Sequence, residues 1–156
     1  MSLLLLCTLI VPALANEVTE KVESTTQFYY IVYNKDGTVR ETGTTPDFNM
    51  RADWGGITLS NGRSMKFLQD GLPFTIHDGT RTTFSVSLNR AASMYNLLTK
   101  STAYGQFISY YDSFRTSGPT FYHSLIINDA GYYYYETTNV SSDPVTVTSA
   151  SFTFGG

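Results

Sequence analysis

One stretch of the sequence, TTPDFNMRADWGG (residues 44–56), combines polar side chains with a large flat ring. Trp54 is the only tryptophan of the chain, and Asp53 and Asn49 lie close to it. An indole ring can stack on a ring-shaped ligand while carboxylate and amide groups bond to its hydroxyls. Asn49, Asp53 and Trp54 are therefore candidate ligand contacts. The alternative is that Trp54, beside two glycines, anchors the loop to the core.

The same stretch has the spacing D-x-N-x-R-x-D, in which Asp47, Asn49 and Asp53 alternate as oxygen ligands do in calcium loops. Arg51 stands where another oxygen ligand is needed, and no bidentate glutamate follows at the required distance. We therefore expect no metal here, and we expect no cofactor in the protein.

Four consecutive tyrosines at positions 132–135 form a second candidate. Strand side chains alternate between faces, so Tyr132 and Tyr134 would share one face, about 6–7 Å apart. Two rings at this spacing could stack on neighbouring sugars, which makes both residues candidate ligand contacts. The alternative is a central strand that buries one tyrosine pair and leaves the other half-covered by its cross-strand neighbours.

Residues that could catalyse a reaction are few. His77 and His123 are the only histidines, and neither a G-x-S-x-G nor an H-E-x-x-H motif occurs. Two carboxylates that meet only in the fold could still hydrolyse a glycoside, and Asp112 and Glu136 are the first candidates for such a pair. Solvated surface acids are the other interpretation of these two residues. We expect no catalytic residue and no enzymatic activity.

The first fifteen residues, MSLLLLCTLIVPALA, are an apolar run that ends in Ala13-Leu14-Ala15, although no lysine or arginine precedes it. This pattern predicts a signal peptide that is cleaved after Ala15, and a secreted protein. Residues 16–26 are polar and predict a flexible arm before a domain at 27–156. Cys7 is the only cysteine and lies in the predicted signal peptide, so we expect no disulfide, which favours a bacterial source.

The formal charge is −3, and no block of basic residues occurs. The electrostatic footprint of nucleic-acid binding is therefore missing, and we expect no nucleic-acid partner. No second apolar stretch is long enough to span a bilayer, so we expect no membrane insertion after signal cleavage. The oligomeric state stays open. The sequon Asn139-Val140-Ser141 would be glycosylated only in a eukaryotic secretory pathway.

The rest of the chain alternates apolar and polar residues with period two, which is typical of β-strands with one buried face. Residues 89–98 could form a short helix, but a strand at residues 94–100 is favoured. Hairpin turns are predicted at residues 34–37 and at Asn61-Gly62, and a further turn at residues 77–79. About nine strands predict an all-β fold, an antiparallel sandwich of two sheets of jelly-roll or immunoglobulin-like type. The later strands are predicted at residues 105–114, 120–128, 132–138, 144–148 and 151–154.

Residues 80–154 contain the series TFSVSL, SLIINDAGYYYYETTN and PVTVTSASFTF. This series resembles the closing half of bacterial secreted jelly-roll modules, such as pre-peptidase C-terminal domains and some carbohydrate-binding modules. The resemblance implies a β-sandwich, while the acidic calcium-binding runs common in such modules are not evident here.

The leading hypothesis from the sequence is a secreted, non-catalytic binding module for glycans or cell-surface polymers. A structural or assembly subunit of a surface or oligomeric complex is the alternative, and a small hydrolase is a third.

Overall fold

The computed structural model describes residues 23–25, 27–45 and 56–155. These residues form ten β-strands and no helix. None of the described segments is therefore a helix that could cross a bilayer. The strands are β1 (Glu23–Thr25), β2 (Tyr29–Tyr33), β3 (Val39–Thr44), β4 (Ile57–Leu59), β5 (Ser64–Leu68), β6 (Phe74–Ile76), β7 (Thr80–Ser101), β8 (Phe107–Ile127), β9 (Gly131–Asn139) and β10 (Val145–Gly155).

All strand pairs are antiparallel and belong to one continuous ten-stranded sheet, which folds into two layers because the two longest strands, β7 and β8, run through both. We call the two layers sheet I and sheet II. Sheet I contains β1, β4 and β10 with residues 80–88 of β7 and 120–127 of β8. Sheet II contains β2, β3, β5, β6 and β9 with residues 92–101 of β7 and 107–118 of β8. The β7–β8 register is interrupted between these halves, where Gly118 has a φ of 140°. Both strands bend there from one sheet into the other.

Aromatic rings from the inner faces of the two sheets form the core. Phe84 of sheet I stacks on Tyr135 of sheet II with 4.1 Å between ring centroids, and it also contacts Phe67 at 5.1 Å. Phe152 of sheet I packs against Phe74 of sheet II at 4.5 Å. These rings bury large apolar areas, and this burial is the main contribution that holds the two layers together. The predicted all-β, two-sheet antiparallel sandwich is confirmed.

The strand at residues 94–100 is confirmed, and the helix at 89–98 does not form, because these residues lie within β7. Met94, Asn96 and Leu98 alternate into the core while β7 pairs with β8 on one side and β9 on the other. The two strands predicted at residues 105–114 and 120–128 are one strand, β8. The last two predicted strands likewise merge into β10.

The predicted hairpin at residues 34–37 is confirmed, since Asn34 N donates to Thr38 O at 2.8 Å between β2 and β3. The predicted hairpin at Asn61-Gly62 is wrong. A turn exists there, but β4 pairs with β10 in sheet I while β5 pairs with β2 and β9 in sheet II. An Asn-Gly turn reverses the chain locally, whereas the pairing partner depends on which sheet buries each strand's apolar face.

Asn139 of the sequon is fully buried at the end of β9. Its Nδ2 donates to the carbonyl oxygens of Leu59 and Asp143, both at 2.8 Å, and its Oδ1 accepts from Ser141 N at 2.9 Å. The amide therefore ties β4 of sheet I to β9 of sheet II. Its nitrogen is not accessible to a glycosylating enzyme in the folded protein.

Candidate functional site

The outer face of sheet II carries a broad group of aromatic rings. Residues directly opposite each other in antiparallel strands share a face, so the register identifies its members. Tyr134 lies opposite Thr99, which lies opposite Tyr110, and Tyr132, Ser101 and Phe107 form a parallel row. We call this surface the tyrosine face. Its aromatic residues are Tyr29, Tyr33, Tyr95, Phe107, Tyr110, Tyr132 and Tyr134.

Small side chains of β7 form a depression between the rings of the tyrosine face. Thr99 and Ser101 are buried between the larger rings of β9 and β8, at 1% and 2% exposure. Tyr110, Phe107 and Tyr132 stand up around them and are 65%, 55% and 40% exposed. Phe107 and Tyr110 lie edge to face with 4.9 Å between centroids. An exposed aromatic group of this kind on a folded surface indicates an interaction site.

Charged groups lie between the rings of the tyrosine face. Lys66 Nζ lies 4.1 Å from the ring centroid of Tyr134 and 5.3 Å from that of Tyr33, and Arg115 Cζ lies 5.3 Å from that of Tyr95. These are cation–π contacts, which hold a cation at a defined place. Burial raises the pKa of Tyr134, and the nearby Lys66 charge opposes this rise. The tyrosine is thus neutral under Lys66 at physiological pH.

An open cavity of about 400 Å³ lies at one end of the tyrosine face. Tyr33, Ser64, Lys66 and Glu136 line it together with the turn after β2 and the turn before β5. Its walls are mostly polar. A shallow polar cavity continuous with exposed rings can accept part of an extended ligand.

The outer face of sheet I is different, although β7 and β8 also contribute to it. We call it the hydroxyl face, because it consists mainly of serine and threonine with the single ring of Tyr122, which is 75% exposed. Thr83 Oγ1 donates to Ser124 Oγ at 2.9 Å, so these two hydroxyls bond to each other. The other hydroxyl-bearing residues of this face are Ser85, Ser87, Thr120, Ser149, Ser151 and Thr153, and the opposed pair Arg81 and Ile126 lies at its end.

The tyrosine run is a central strand, β9, that is paired on both edges. Tyr133 and Tyr135 are fully buried in the core, while Tyr132 and Tyr134 point to the tyrosine face. Tyr132 is exposed, but Tyr134 is only 5% exposed because its ring lies beneath Lys66. Ligand contact by Tyr132 and by Tyr134 stays a prediction.

The candidate contacts Asn49, Asp53 and Trp54 lie outside the described residues. The nearest described residues are Thr45 and Gly56. Thr45 is fixed at the end of β3, where its backbone N donates to Phe28 O at 2.8 Å. Ligand contact by the three residues stays a prediction.

Sequence reasoning missed Phe107, Tyr110, Lys66 and Arg115 as members of this surface. Period-two alternation predicts that Tyr110 shares a face with Ile108 and Asp112. Two register shifts at the start of β8 interrupt this alternation and change which residues share a face. Lys66 belongs to no recognisable sequence motif. Only the register between four different strands brings these side chains beside Tyr132 and Tyr134.

The carboxylates that could have formed a hydrolytic pair do not converge. Glu136 lies on the tyrosine face opposite Leu97, while Asp112 lies opposite Leu98 on the inner face of sheet II. Side chains on opposite faces of one sheet cannot flank the same glycosidic bond.

Asp112 instead contacts a histidine across the open edge of the sandwich. Asp112 Oδ2 lies 3.2 Å from His123 Nε2, and the His123 ring stacks on Phe114 with 3.9 Å between centroids. In a hydrolytic triad, the second imidazole nitrogen contacts the nucleophile. His123 Nδ1 is buried and has no hydrogen-bond partner among the described residues, so the pair lacks a nucleophile. The other histidine, His77, lies exposed in the turn after β6.

Within the described residues, no group of three or more histidine, aspartate or glutamate side chains is arranged to hold a metal ion.

No protein-family profile and no curated protein sequence matches this chain. Among solved structures, one described as "BiXyn10A CBM1 APO" is similar with a TM-score of 0.36 and 9% identity, over 83% of this chain and 81% of that one. Another, described as "xylan-binding module CBM15", has a TM-score of 0.43 and 11% identity, over 86% of this chain and 96% of that one. Both are carbohydrate-binding modules, a class that residues 80–154 resemble. Similarity at this level assigns no function to this chain.

Proposed function

We propose that this protein is a non-catalytic module that binds glycans through the tyrosine face. The observation that carries the proposal is the group of exposed rings, Phe107, Tyr110 and Tyr132, on one face of a rigid sheet beside polar and charged side chains. Aromatic faces stack on the apolar C–H faces of sugar rings, and the polar groups bond to sugar hydroxyls.

The spacing of the rings fits an extended ligand. Tyr132 and Phe107 lie in one row with β7 between them, so their backbones are about 10 Å apart at the usual strand spacing. Rings at this separation can contact different sugar units of one chain. The face is open rather than enclosed, which suits a polymer that extends beyond the protein in both directions. Tyr134 supports Lys66 from below, and Tyr132 presents the more accessible ring of the two.

Binding to a panel of soluble plant and bacterial polysaccharides by affinity electrophoresis tests the proposal. Tyr110→Ala removes a 65% exposed ring from the tyrosine face, and we expect it to weaken binding at least about tenfold. Tyr122→Ala is the matched control, because Tyr122 lies on the same strand and is 75% exposed on the hydroxyl face. Equal affinity of both variants, or equal losses, would contradict the assignment of the tyrosine face.

Trp54, Asp53 and Asn49 belong to the proposal as a second set of contacts. Their support is chemical, since the sequence combines one large ring with an acid and an amide in a single loop. Trp54→Ala should weaken binding to the same polysaccharide that Tyr110→Ala affects. A loss for a different polysaccharide, or none, would separate this loop from the site.

We also propose that the protein acts outside the cell. The apolar run of residues 1–15 and its Ala13-Leu14-Ala15 end support secretion. Expression of the full chain with mass analysis of the culture medium should give a product that begins at Asn16. A product retained with the cells and starting at Met1 would contradict this.

Assembly is the second candidate function, and one observation favours it. β8 pairs only with β7 among the described strands, so a strand of 21 residues has one free edge. Free edges are templates for pairing with another strand. Sedimentation velocity at high protein concentration separates the candidates, because a strict monomer would argue against assembly.

A further inference from the structure

We propose that the cavity at the end of the tyrosine face is a subsite for an anionic substituent of the bound glycan. The inference rests on the proposed function and names the ligand class more closely. A uronic-acid carboxylate and a sulfate ester share the required chemistry.

Lys66 is one of the residues that line this cavity. Its ammonium nitrogen lies 4.1 Å from the ring centroid of Tyr134 and 5.3 Å from that of Tyr33, and these two cation–π contacts restrict its position. Its Nζ forms no ion pair with any described carboxylate. Arg90, Lys100 and His123, in contrast, each have a partner: Asp143, Asp129 and Asp112. Within the described residues, no carboxylate neutralises the charge of Lys66, so this charge can pair with a ligand.

Lys35 is a second cation among the residues that line the cavity. It lies in the turn after β2, where Asp36 Oδ1 accepts hydrogen bonds from Thr38 N at 3.0 Å and Thr38 Oγ1 at 2.6 Å. These bonds lower the pKa of Asp36. The stem of Lys35 packs so closely over Gly62 that a β-carbon there would lie 3.0 Å from its Cγ and Cδ. Both turns thus hold Lys35 beside the cavity.

The cavity is positive although the whole chain carries a charge of −3. Glu136 is the single acid among its described lining residues, against Lys35 and Lys66. Glu136 lies opposite Lys66 in the β5–β9 register, but the two do not form an ion pair within 4.0 Å. Its carboxylate opposes an anionic ligand, so neutralising it should strengthen binding.

Matched pairs of polysaccharides that differ only in charge test the inference. One pair is polygalacturonate and its methyl ester, and the other is a galactan with and without sulfate esters. We expect the charged member of at least one pair to bind about tenfold more tightly at low salt. Hydrogen bonds between charged groups are stronger than those between neutral groups. High salt should reduce this preference. The first pair reports a carboxylate site and the second a sulfate site.

Variants link the preference to the cavity. Lys66→Gln should abolish it, Lys66→Arg should keep most of it, and Glu136→Gln should increase it. Lys100→Gln is the control, because Lys100 is already paired with Asp129 and, opposite Tyr133 in the register, does not lie on the tyrosine face. Thermal unfolding of each variant separates a local effect from a loss of the fold.

The outcomes distinguish the inference from the proposed function. Equal binding of charged and neutral members overturns the inference and leaves the glycan-binding proposal standing. If the protein binds no polysaccharide, both the inference and the glycan-binding proposal are overturned. NMR gives a readout at the site itself: glucuronate should shift the Lys66 Cε and Tyr134 ring signals, and methyl glucuronate should not. Equal shifts with both sugars contradict an anionic subsite.

Discussion

The two outer faces of the sandwich differ sharply, although β7 and β8 run through both. The tyrosine face of sheet II has rings that stand above small residues, with Lys66, Arg115 and Glu136 between them. The hydroxyl face of sheet I consists mainly of short serine and threonine side chains and carries one ring, Tyr122.

The neighbouring strands cause this difference. On sheet II, β7 and β8 lie beside β9, β5 and β2, which contribute tyrosines and Lys66 to the outer face. On sheet I, they lie beside β10, which contributes Ser149, Ser151 and Thr153. A strand therefore does not carry a function by itself. Its register with several partners determines whether an exposed ring such as Tyr110 joins a site or, like Tyr122, stands alone.

Phe84→Ala should have the largest effect, because Phe84 connects the layers beneath both faces. It is fully buried and packs against Tyr135 and Phe67 of the other sheet. We expect a loss of about 4 kcal/mol in the free energy of unfolding, measured with urea. Ser85→Ala, the neighbour that points to the hydroxyl face, should change it by less than about 0.5 kcal/mol. Similar small losses for both would contradict a shared core.

Asn139→Ala tests the bond between the sheets at one end. Its loss leaves Leu59 O, at a buried position, and Ser141 N, at a partly buried one, without these hydrogen bonds. We expect about 3 kcal/mol of destabilisation in the same urea experiment. Asn61→Ala is the control, because exposed Asn61 makes one side-chain bond within the described part of the chain, to Ser141 O at 2.8 Å. A loss no larger than that of the control would show that Asn139 does not tie the sheets together.

Tyr132→Ala and Ile126→Ala compare two apolar side chains of similar exposure, 40% and 43%, on opposite faces. Tyr132 borders the site and Ile126 lies on the hydroxyl face, so only the tyrosine variant should weaken glycan binding, about fivefold. Isothermal titration with an oligosaccharide of the preferred polymer measures the difference. An equal loss for Ile126→Ala would place ligand contacts on both faces.

Alkaline pH should destabilise the fold, because the hydroxyl of Tyr133 is buried beneath the tyrosine face and resists ionisation there. Burial, with Asp129 and Tyr111 nearby, raises the pKa of Tyr133 from 10.0 to about 12. The unfolded chain loses this proton at lower pH than the folded protein does. The contribution of Tyr133 to stability is therefore complete below pH 10 and is lost as the pH rises toward 12.

Tyr133→Phe should flatten this alkaline decline in urea midpoints, while costing some stability at pH 7 because the hydrogen bond to Asp129 O is lost. The same slope for both proteins between pH 10 and 12 would show that another group titrates there.

Much of the fold could be predicted from alternation. Phe28, Tyr30 and Val32 alternate with less buried neighbours as expected, because strand side chains change face at every residue. The pairing partners of β4 and β5 could not be predicted. Both strands bury apolar residues, and the Asn61-Gly62 turn between them suits a hairpin as well as an arch between sheets.

The candidate site was only partly predictable. The run of tyrosines placed Tyr132 and Tyr134 on one face, but the run alone did not show that Lys66 covers Tyr134. Tyr110 joins them because one register shift, between Leu98 and Thr99, places it opposite Thr99 on the outer face. Such shifts depend on contacts with β7 and leave no local pattern.

The sequence by itself determined that this chain forms a two-layer β-sandwich. Its period-two pattern gives nearly every segment one apolar and one polar face, and the apolar faces are buried when two layers pack against each other. Tertiary structure alone decided that the rings of β8 and β9 and the charge of Lys66 share one surface. Strand pairing joins residues far apart in the chain, and its choice depends on how both sheets bury their apolar sides together.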